Sequence, residues 1–362
     1  MRGTKPETVI GRIVMGSTLM RALVKVKEEH GLSLERVPVP EPGEREVLVR
    51  VKAAAICGSD LKLYKWTPWC RNVVKSLPFI PGHEGAGEVA ATGSGVRKFR
   101  VGDRVAAETH IPCGRCWQCG HGRPHTCLEM GLFGHTVNGC FAEYFTMPDT
   151  ALWKLSDGIS LERGCLLEPM GIPLRAVYGG EVAGDSVAVV GCGPIGQFAV
   201  GTAKVRGAHP IVALDINEKR LAIAERMGAS HLINPEKEPV RERILALTGG
   251  NGAGTVIEAS GSAAALRQAF DYVRIGGTLY TIGHPGEEVC LDVSAKINLR
   301  EVRIIGLFGR ELWKTWEIAD DLIASGKLNP DPIVTHTFPF EKYEQAFEAV
   351  LTGAGCKIVL MP

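Results

Sequence analysis

The 362-residue sequence lacks any run of about 20 apolar residues, the length a helix needs to span a bilayer. Its longest uncharged stretch, 186–203, is broken by glycines and Pro194. Net charge is nearly absent too. The 41 basic and 40 acidic side chains leave +1, so nucleic acid and anionic membrane are not expected as partners. A secretory signal is missing, because Glu7 and Arg12 interrupt any apolar core in the first twenty residues. Residues 1–19 read as a flexible leader outside the fold. Cysteine is scarce for the length: eleven residues, four of them within fifteen positions. That clustering favours metal in a reducing compartment over a disulfide framework, and a cytoplasmic location. No solenoid repeat is present.

What is present divides in two, as the length allows. From Met20 to about Leu155, short β-branched runs at 23–27, 32–37, 47–52, 87–91, 101–106 and 142–147 are parted by turn signals such as Pro42-Gly43 and Pro81-Gly82. Such a series predicts a barrel-like or sandwich β domain. From about Gly171, strands near Val187, Ile211, His231, Thr255, Thr278 and Val302 alternate with helices near Ile195, Glu218, Val240 and Ser262. The alternation predicts a doubly wound parallel sheet. Helices over 311–325 and 341–351 and a strand over 356–361 close the chain. The expected class is α/β plus β. A discontinuous β-rich domain over 20–170 and 309–362 receives a nucleotide-binding domain over 171–308, with a cleft between them.

The most informative stretch runs from Val187 to Asp215. An apolar strand leads into Gly191, Gly193 and Gly196, spaced G-x-G-x-x-G, with Pro194 at the start of the following helix. The first glycine allows the tight turn, the second lets backbone approach a pyrophosphate, and the third lets helix pack on sheet. The helix then points its free N–H groups at phosphate. A second apolar run ends on Asp215, where a carboxylate accepts bonds from the adenosine ribose and repels a 2′-phosphate. NAD is therefore expected rather than NADP.

Two constellations suit metal. Cys113, Cys116, Cys119 and Cys127 are spaced C-x2-C-x2-C-x7-C, which closes four thiolates on one structural zinc. Cys57, His83 and Glu84, with Glu168 before the nucleotide domain, offer a thiolate, an imidazole and carboxylates, the donors of an open catalytic zinc.

These motifs, with Cys57-Gly58-Ser59-Asp60, Gly82-His83-Glu84 and Val101-Gly102-Asp103-Arg104-Val105, resemble those of the zinc-dependent medium-chain alcohol dehydrogenases over 20–362. Within them the threonine dehydrogenase branch is most similar, through Leu63-Tyr64-Lys65-Trp66, Gly139-Cys140-Phe141-Ala142-Glu143-Tyr144 and Gly306-Leu307-Phe308-Gly309-Arg310-Glu311. The resemblance implies a GroES-like catalytic domain with an inserted Rossmann domain, two zinc ions per chain, NAD and a small alcohol or ketone as substrate. It implies Cys57, His83 and Glu84 around the catalytic zinc, with Glu168 as ligand or as partner of its water. Asp60 would orient His83 and Lys357 would hold Glu84. Coenzyme contacts are implied at Ile195, Asp215, Arg220, Ile282, Gly283, His284, Leu307 and Phe308. A homo-oligomer, tetramer or dimer, is also implied.

The chemistry expected from these parts is zinc-assisted hydride transfer from a carbinol carbon to nicotinamide, with Ser59 passing on the proton. Two positions depart from the threonine branch. Its histidine after Ser59-Asp60-Leu61 is Lys62 here, and its Gly-Asn-Ala-Val-His is Gly171-Ile172-Pro173-Leu174-Arg175. Lys62 is expected to enter the pocket and pair with an anionic or polyhydroxylated substrate other than threonine, with Tyr64, Trp66 and Trp69 as pocket walls. A sorbitol-like polyol dehydrogenase, an aldehyde or ketone reductase, and an inactive nucleotide-binding protein are the alternatives.

Overall fold

The computed structural model describes residues 18–362. The expected leader, up to residue 17, lies outside the described residues, and Leu19 already belongs to a strand. The chain forms two units. One contains the described chain up to Glu168 together with Val334–Pro362, and the other contains Pro169–Ile333. The second crossing thus falls at Val334 instead of 309. The physical reason is packing: Leu328 is buried against Gly201 and Met227, and Arg310 covers Gly171.

The first unit is built on a seven-stranded sheet. Its order is Val334–Pro339, Lys357–Met361, Glu46–Ala55, Glu84–Thr92, Arg104–Ala107 and Leu152–Lys154, with Tyr144–Pro148 also paired to Glu46–Ala55. The hairpin Leu19–Val24 with Ser33–Pro38 joins it through a bridge from Ala22 to Ala142. Val47, Val49, Val89, Val105, Phe145 and Met147 face inward and make the core, which Phe340, Phe347 and Ile358 complete from the chain's end. Tight strand pairing demands glycine at 87, where a Cβ would lie 2.0 Å from the Arg50 carbonyl oxygen.

Register carries the chemistry. Glu46–Ala55 pairs antiparallel with Glu84–Thr92 so that Ala55 faces Glu84, and with Lys357–Met361 so that Ala55 faces Val359. Cys57, Glu84 and Lys357 therefore meet at one end of three adjacent strands.

The second unit is a parallel six-stranded sheet in the order His231–Ile233, Ile211–Leu214, Val187–Val190, Ala253–Glu258, Val273–Thr281, Arg303–Gly306. Strand order reverses between Val187–Val190 and Ala253–Glu258, the position where doubly wound sheets open a crevice. Both strands are buried throughout, Val187–Val190 as an unbroken apolar run and Ala253–Glu258 with Thr255 and Glu258 buried beside its apolar residues. After Thr281 the backbone runs irregularly to the helix Val293–Lys296. Among the described residues no helix is long and apolar enough to cross a membrane.

Candidate active site

Cys57 is the N-cap of the helix Gly58–Lys65, in extended conformation just past the central strand. Its N–H donates to Asp60 Oδ2 at 2.8 Å, which fixes Asp60 in the first turn. The ligating atoms of Cys57, His83 and Glu84 lie within 4.8 Å of one another, and His83 and Glu84 are buried. Lys357 Nζ donates to both Glu84 oxygens, at 2.8 and 2.6 Å, and to the Ile56 carbonyl at 3.1 Å. Burial works against that ammonium, yet the Glu84 carboxylate outweighs it and holds Lys357 above its ordinary pKa.

Burial likewise opposes charge on His83. Asp60, whose Oδ1 stands 3.6 Å from His83 Nδ1, and the Cys57 thiol outweigh it and raise the imidazole well above its usual value. The group fits a metal ion. A soft thiol, an imidazole and a carboxylate converge, and His83 Nδ1, Asp60 Oδ1 and the Ser59 hydroxyl are buried without a hydrogen-bond partner. Glu168, also buried, stands outside the 4.8 Å group and accepts a hydrogen bond from the Thr109 hydroxyl.

Lys62 is exposed, with its ammonium 5.2 Å from the centre of the Trp69 ring. Trp69 is half-buried and meets His135 edge-on at 5.6 Å. The other expected pocket walls have different work. Tyr64 stacks on Phe347 at 4.3 Å in the core, and Trp66 packs with Leu63, Cys70 and Phe79. His135 is a residue that sequence reasoning missed. Its ring lies 4.7 Å from that of His83, it is 6% exposed, and its ligating atom falls within 4.8 Å of those of Asp60 and His83. Burial, and then His83, push its pKa down to about 3, so the ring is neutral.

The four lobe cysteines also converge, their sulfurs all within 4.8 Å. Backbone N–H groups of Cys113, Cys116 and Glu129 point at sulfur over 3.2–3.4 Å. Backbone donors lead the causes that bring Cys116 down to about 6, the charge state a metal requires. No disulfide links them; Cys116 and Cys119 sulfurs are 3.6 Å apart, far beyond a bond.

In the second unit the glycine turn has its expected form. Gly191 has φ +87°, a Cβ on Gly196 would lie 1.9 Å from the Gly191 carbonyl, and a Cβ on Gly193 would meet open space. Gly193 is the N-cap and Pro194 the first residue of the helix Pro194–Val205. A cavity of about 670 Å³ opens beside them, lined by Gly191, Gly193, Asp215, Arg220, Ser260 and neighbours. Asp215 accepts from the N–H of Cys192 at 2.7 Å and of Asn217 at 2.8 Å, so its carboxylate is held at the cavity edge. Arg220 Nε is buried without a partner. Ile195, Ile282, Gly283, His284, Leu307 and Phe308 lie outside this lining. Ile282 and Leu307 directly follow the ends of the two neighbouring strands.

Two braces here were not anticipated. Gln197 Nε2 donates to the Cys192 and Arg220 carbonyls, both at 2.8 Å. Buried Glu258 accepts from the N–H of Ser260 and Gly261 at 2.8 and 3.1 Å. Glycines and Asp215 were visible in the pattern; these braces are contacts between segments.

A nucleotide cradle in one unit and a thiol–imidazole–carboxylate centre in the other define a metal-dependent oxidoreductase. The alcohol dehydrogenase GroES-like domain matches residues 43–157, and the zinc-binding dehydrogenase domain matches residues 194–325. The chain is 41% identical over 343 residues to L-threonine 3-dehydrogenase of Bacillus licheniformis, spanning 95% of this chain and 99% of that enzyme. Among solved structures, the alcohol dehydrogenase of Thermus sp. ATN1 superposes with a TM-score of 0.83 at 31% identity, over 94% of this chain and 99% of that one. Galactitol-1-phosphate dehydrogenase of Escherichia coli gives 0.87 at 27% identity, over 95% and 100%. The chain belongs to the zinc-dependent alcohol dehydrogenase family and is an oxidoreductase.

Proposed function

We propose that this enzyme oxidises a small secondary alcohol with NAD as electron acceptor, on a zinc held by Cys57, His83 and Glu84. The convergence of those three ligands within 4.8 Å carries the reading. When bound, the zinc supplies Lewis-acid polarisation of the alcohol oxygen, and the coenzyme takes up two electrons with one hydrogen nucleus. Asp60 orients His83, and Lys357 opposes the rise in pKa that burial imposes on the Glu84 carboxyl. Glu168, its carboxylate aimed by Thr109, serves as a further carboxylate near the zinc ligands. The Ser59 hydroxyl, buried without a partner, can take a proton and pass one on. A second zinc is held by Cys113, Cys116, Cys119 and Cys127 as a structural staple.

Asp215 at the cavity edge supports NAD over NADP, since a fixed carboxylate accepts from ribose hydroxyls and repels phosphate. Ile195, Arg220, Ile282, Gly283, His284, Leu307 and Phe308 are the further coenzyme contacts.

The substrate is an alcohol with a second polar or anionic group. Two of the three similar enzymes named above are named for an amino acid and for a polyol phosphate, both of that kind. Lys62, exposed and without a carboxylate partner among the described residues, supplies positive charge for it. The test is NADH formation over a panel of hydroxy acids, polyols, polyol phosphates and threonine, with zinc analysis of the same sample. NADH formation that is lost with zinc supports the reading. No turnover by a fully zinc-loaded protein overturns it.

A further inference from the structure

His135 is held against the metal-binding end of the first unit largely by backbone, with the Asn138 side chain accepting from the Ile80 N–H at 3.0 Å. The N–H groups of Gly139, Cys140 and Phe141 donate to the carbonyls of Ile80, Gly82 and Pro81 at 2.7, 2.9 and 3.0 Å. Gly134 and Gly139 have no room for a side chain, since a Cβ on either would lie 2.2 or 1.9 Å from the Gly82 carbonyl oxygen. The loop that carries His135 is thus fixed on the loop that carries His83. This leaves the imidazole 94% buried by its 6% exposure, with neither Nδ1 nor Nε2 hydrogen-bonded. Buried polar side chains are nearly always satisfied, and an orphaned one costs about 1–3 kcal/mol. The groups nearest to it, the edge of Trp69, the ring of His83 and an Asp60 oxygen within 4.8 Å, make no hydrogen bond to either nitrogen.

We infer that His135 is a specificity-determining residue that hydrogen-bonds a hydroxyl on the carbon next to the reacting one. The 4.7 Å between the His83 and His135 rings matches the spacing of neighbouring functional groups in one small molecule. Both ring nitrogens are open, and each donates or accepts according to the tautomer. A carboxylate can only accept and an ammonium can only donate. A hydroxyl does both, so it suits either nitrogen in either tautomer. Lys62, across Trp69, stands farther out and serves any anionic tail. The preferred substrate is therefore a vicinal diol within a polyol or polyol derivative. The inference rests on the dehydrogenase reading above.

The test compares butane-2,3-diol with butan-2-ol, which differ by that one hydroxyl, in zinc-loaded enzyme with NAD. Wild type is expected to favour the diol in kcat/KM by at least about tenfold, because a site built to bond a hydroxyl rejects the analogue without it. In His135→Phe the preference collapses, chiefly through KM, and calorimetric affinity for the diol in the NADH complex falls by about tenfold or more. His135→Gln, which keeps a donor and an acceptor, restores part of both, and zinc content stays at the wild-type level in each variant. Equal wild-type values for the two alcohols, or an equal loss for both in His135→Phe, overturns the inference. Loss of zinc in His135→Phe also overturns it, by making the ring a metal ligand. Oxidation of neither alcohol overturns it too; only if the wider panel is also inert does the dehydrogenase reading fall with it.

Discussion

Lys357 and Glu84 form an ion pair buried almost completely on both sides. Removing one member leaves a bare charge in a low-dielectric site, which costs roughly 3–5 kcal/mol. In metal-free protein, Lys357→Met should lower unfolding stability by about that amount, and adding Glu84→Gln should recover part of it. Urea melts of the three proteins check this, and equal melts for wild type and Lys357→Met would refute it. Asp215 supports a second prediction at the same scale. Asp215→Ser keeps a small acceptor but removes the charge that repels a 2′-phosphate. The kcat/KM ratio of NAD to NADP should fall by about 10- to 100-fold, or roughly 1.4–2.8 kcal/mol. An unmoved ratio would show that another group reads the ribose.

What the sequence made legible at this scale were residues whose chemistry is written in local spacing: the glycine turn, Asp215 and the four cysteines. His135 was opaque, because Phe133-Gly134-His135-Thr136 reads as a turn and its meaning comes from His83, far away in sequence. Arg175 looked like the loss of a useful imidazole. In the structure it donates to the carbonyls of Phe308 at 2.7 Å and Gly309 at 3.0 Å, a brace that no periodicity encodes.

Among the elements, the long apolar strands announced themselves, and the helix Leu167–Tyr178 did not. Pro169 and Pro173 hide it, since proline within a helix removes a hydrogen bond and signals a break. The second unit is also pinned at the entry to its first strand. Arg274 makes a two-pronged bond to Asp185, at 2.9 and 2.6 Å. Burial pulls the Asp185 carboxyl upward, but the Arg274 hydrogen bond leads the opposing causes and holds it below its ordinary value. The folded carboxyl thus releases its proton at lower pH than the unfolded one. Its stabilisation is complete above the ordinary carboxylate pKa of about 3.9 and fades as pH falls through the lowered folded value. Both side chains are partly exposed, so solvent screens the pair and its worth is about 1 kcal/mol or less. Arg274→Ala should be less stable than wild type by that margin near neutrality. The gap should close as pH drops below about 4. Urea midpoints across that range decide it; a gap that stays constant would mean Arg274 acts through packing instead.

At the scale of the whole molecule, the two metal groups differ in what they hold together. The sheet end that carries Cys57, His83 and Glu84 has a large apolar core behind it. The lobe has none. Between Cys113 and Cys127 only His125 and Cys127 are buried, and Trp117 and Leu128 are 61% and 72% exposed. Its secondary structure is one turn of helix at Trp117–Gly120 and a short 3-10 segment at Pro124–Thr126. A segment so poor in apolar contacts cannot offset its own conformational entropy, so on the proposed two-zinc reading its order depends on the metal. Cys119→Ser should therefore cut the zinc content from about two ions per chain to about one. Hydrogen exchange should accelerate across residues 112–130 and stay slow in Glu84–Thr92 and Val187–Val190, whose amides are locked in buried sheets. Cys57→Ser should do the reverse: it removes one zinc and the NADH-forming activity while the lobe keeps its protection. Exchange that rises everywhere in Cys119→Ser would mean the lobe is part of the folding core, and unchanged exchange within it would mean its fold needs no metal.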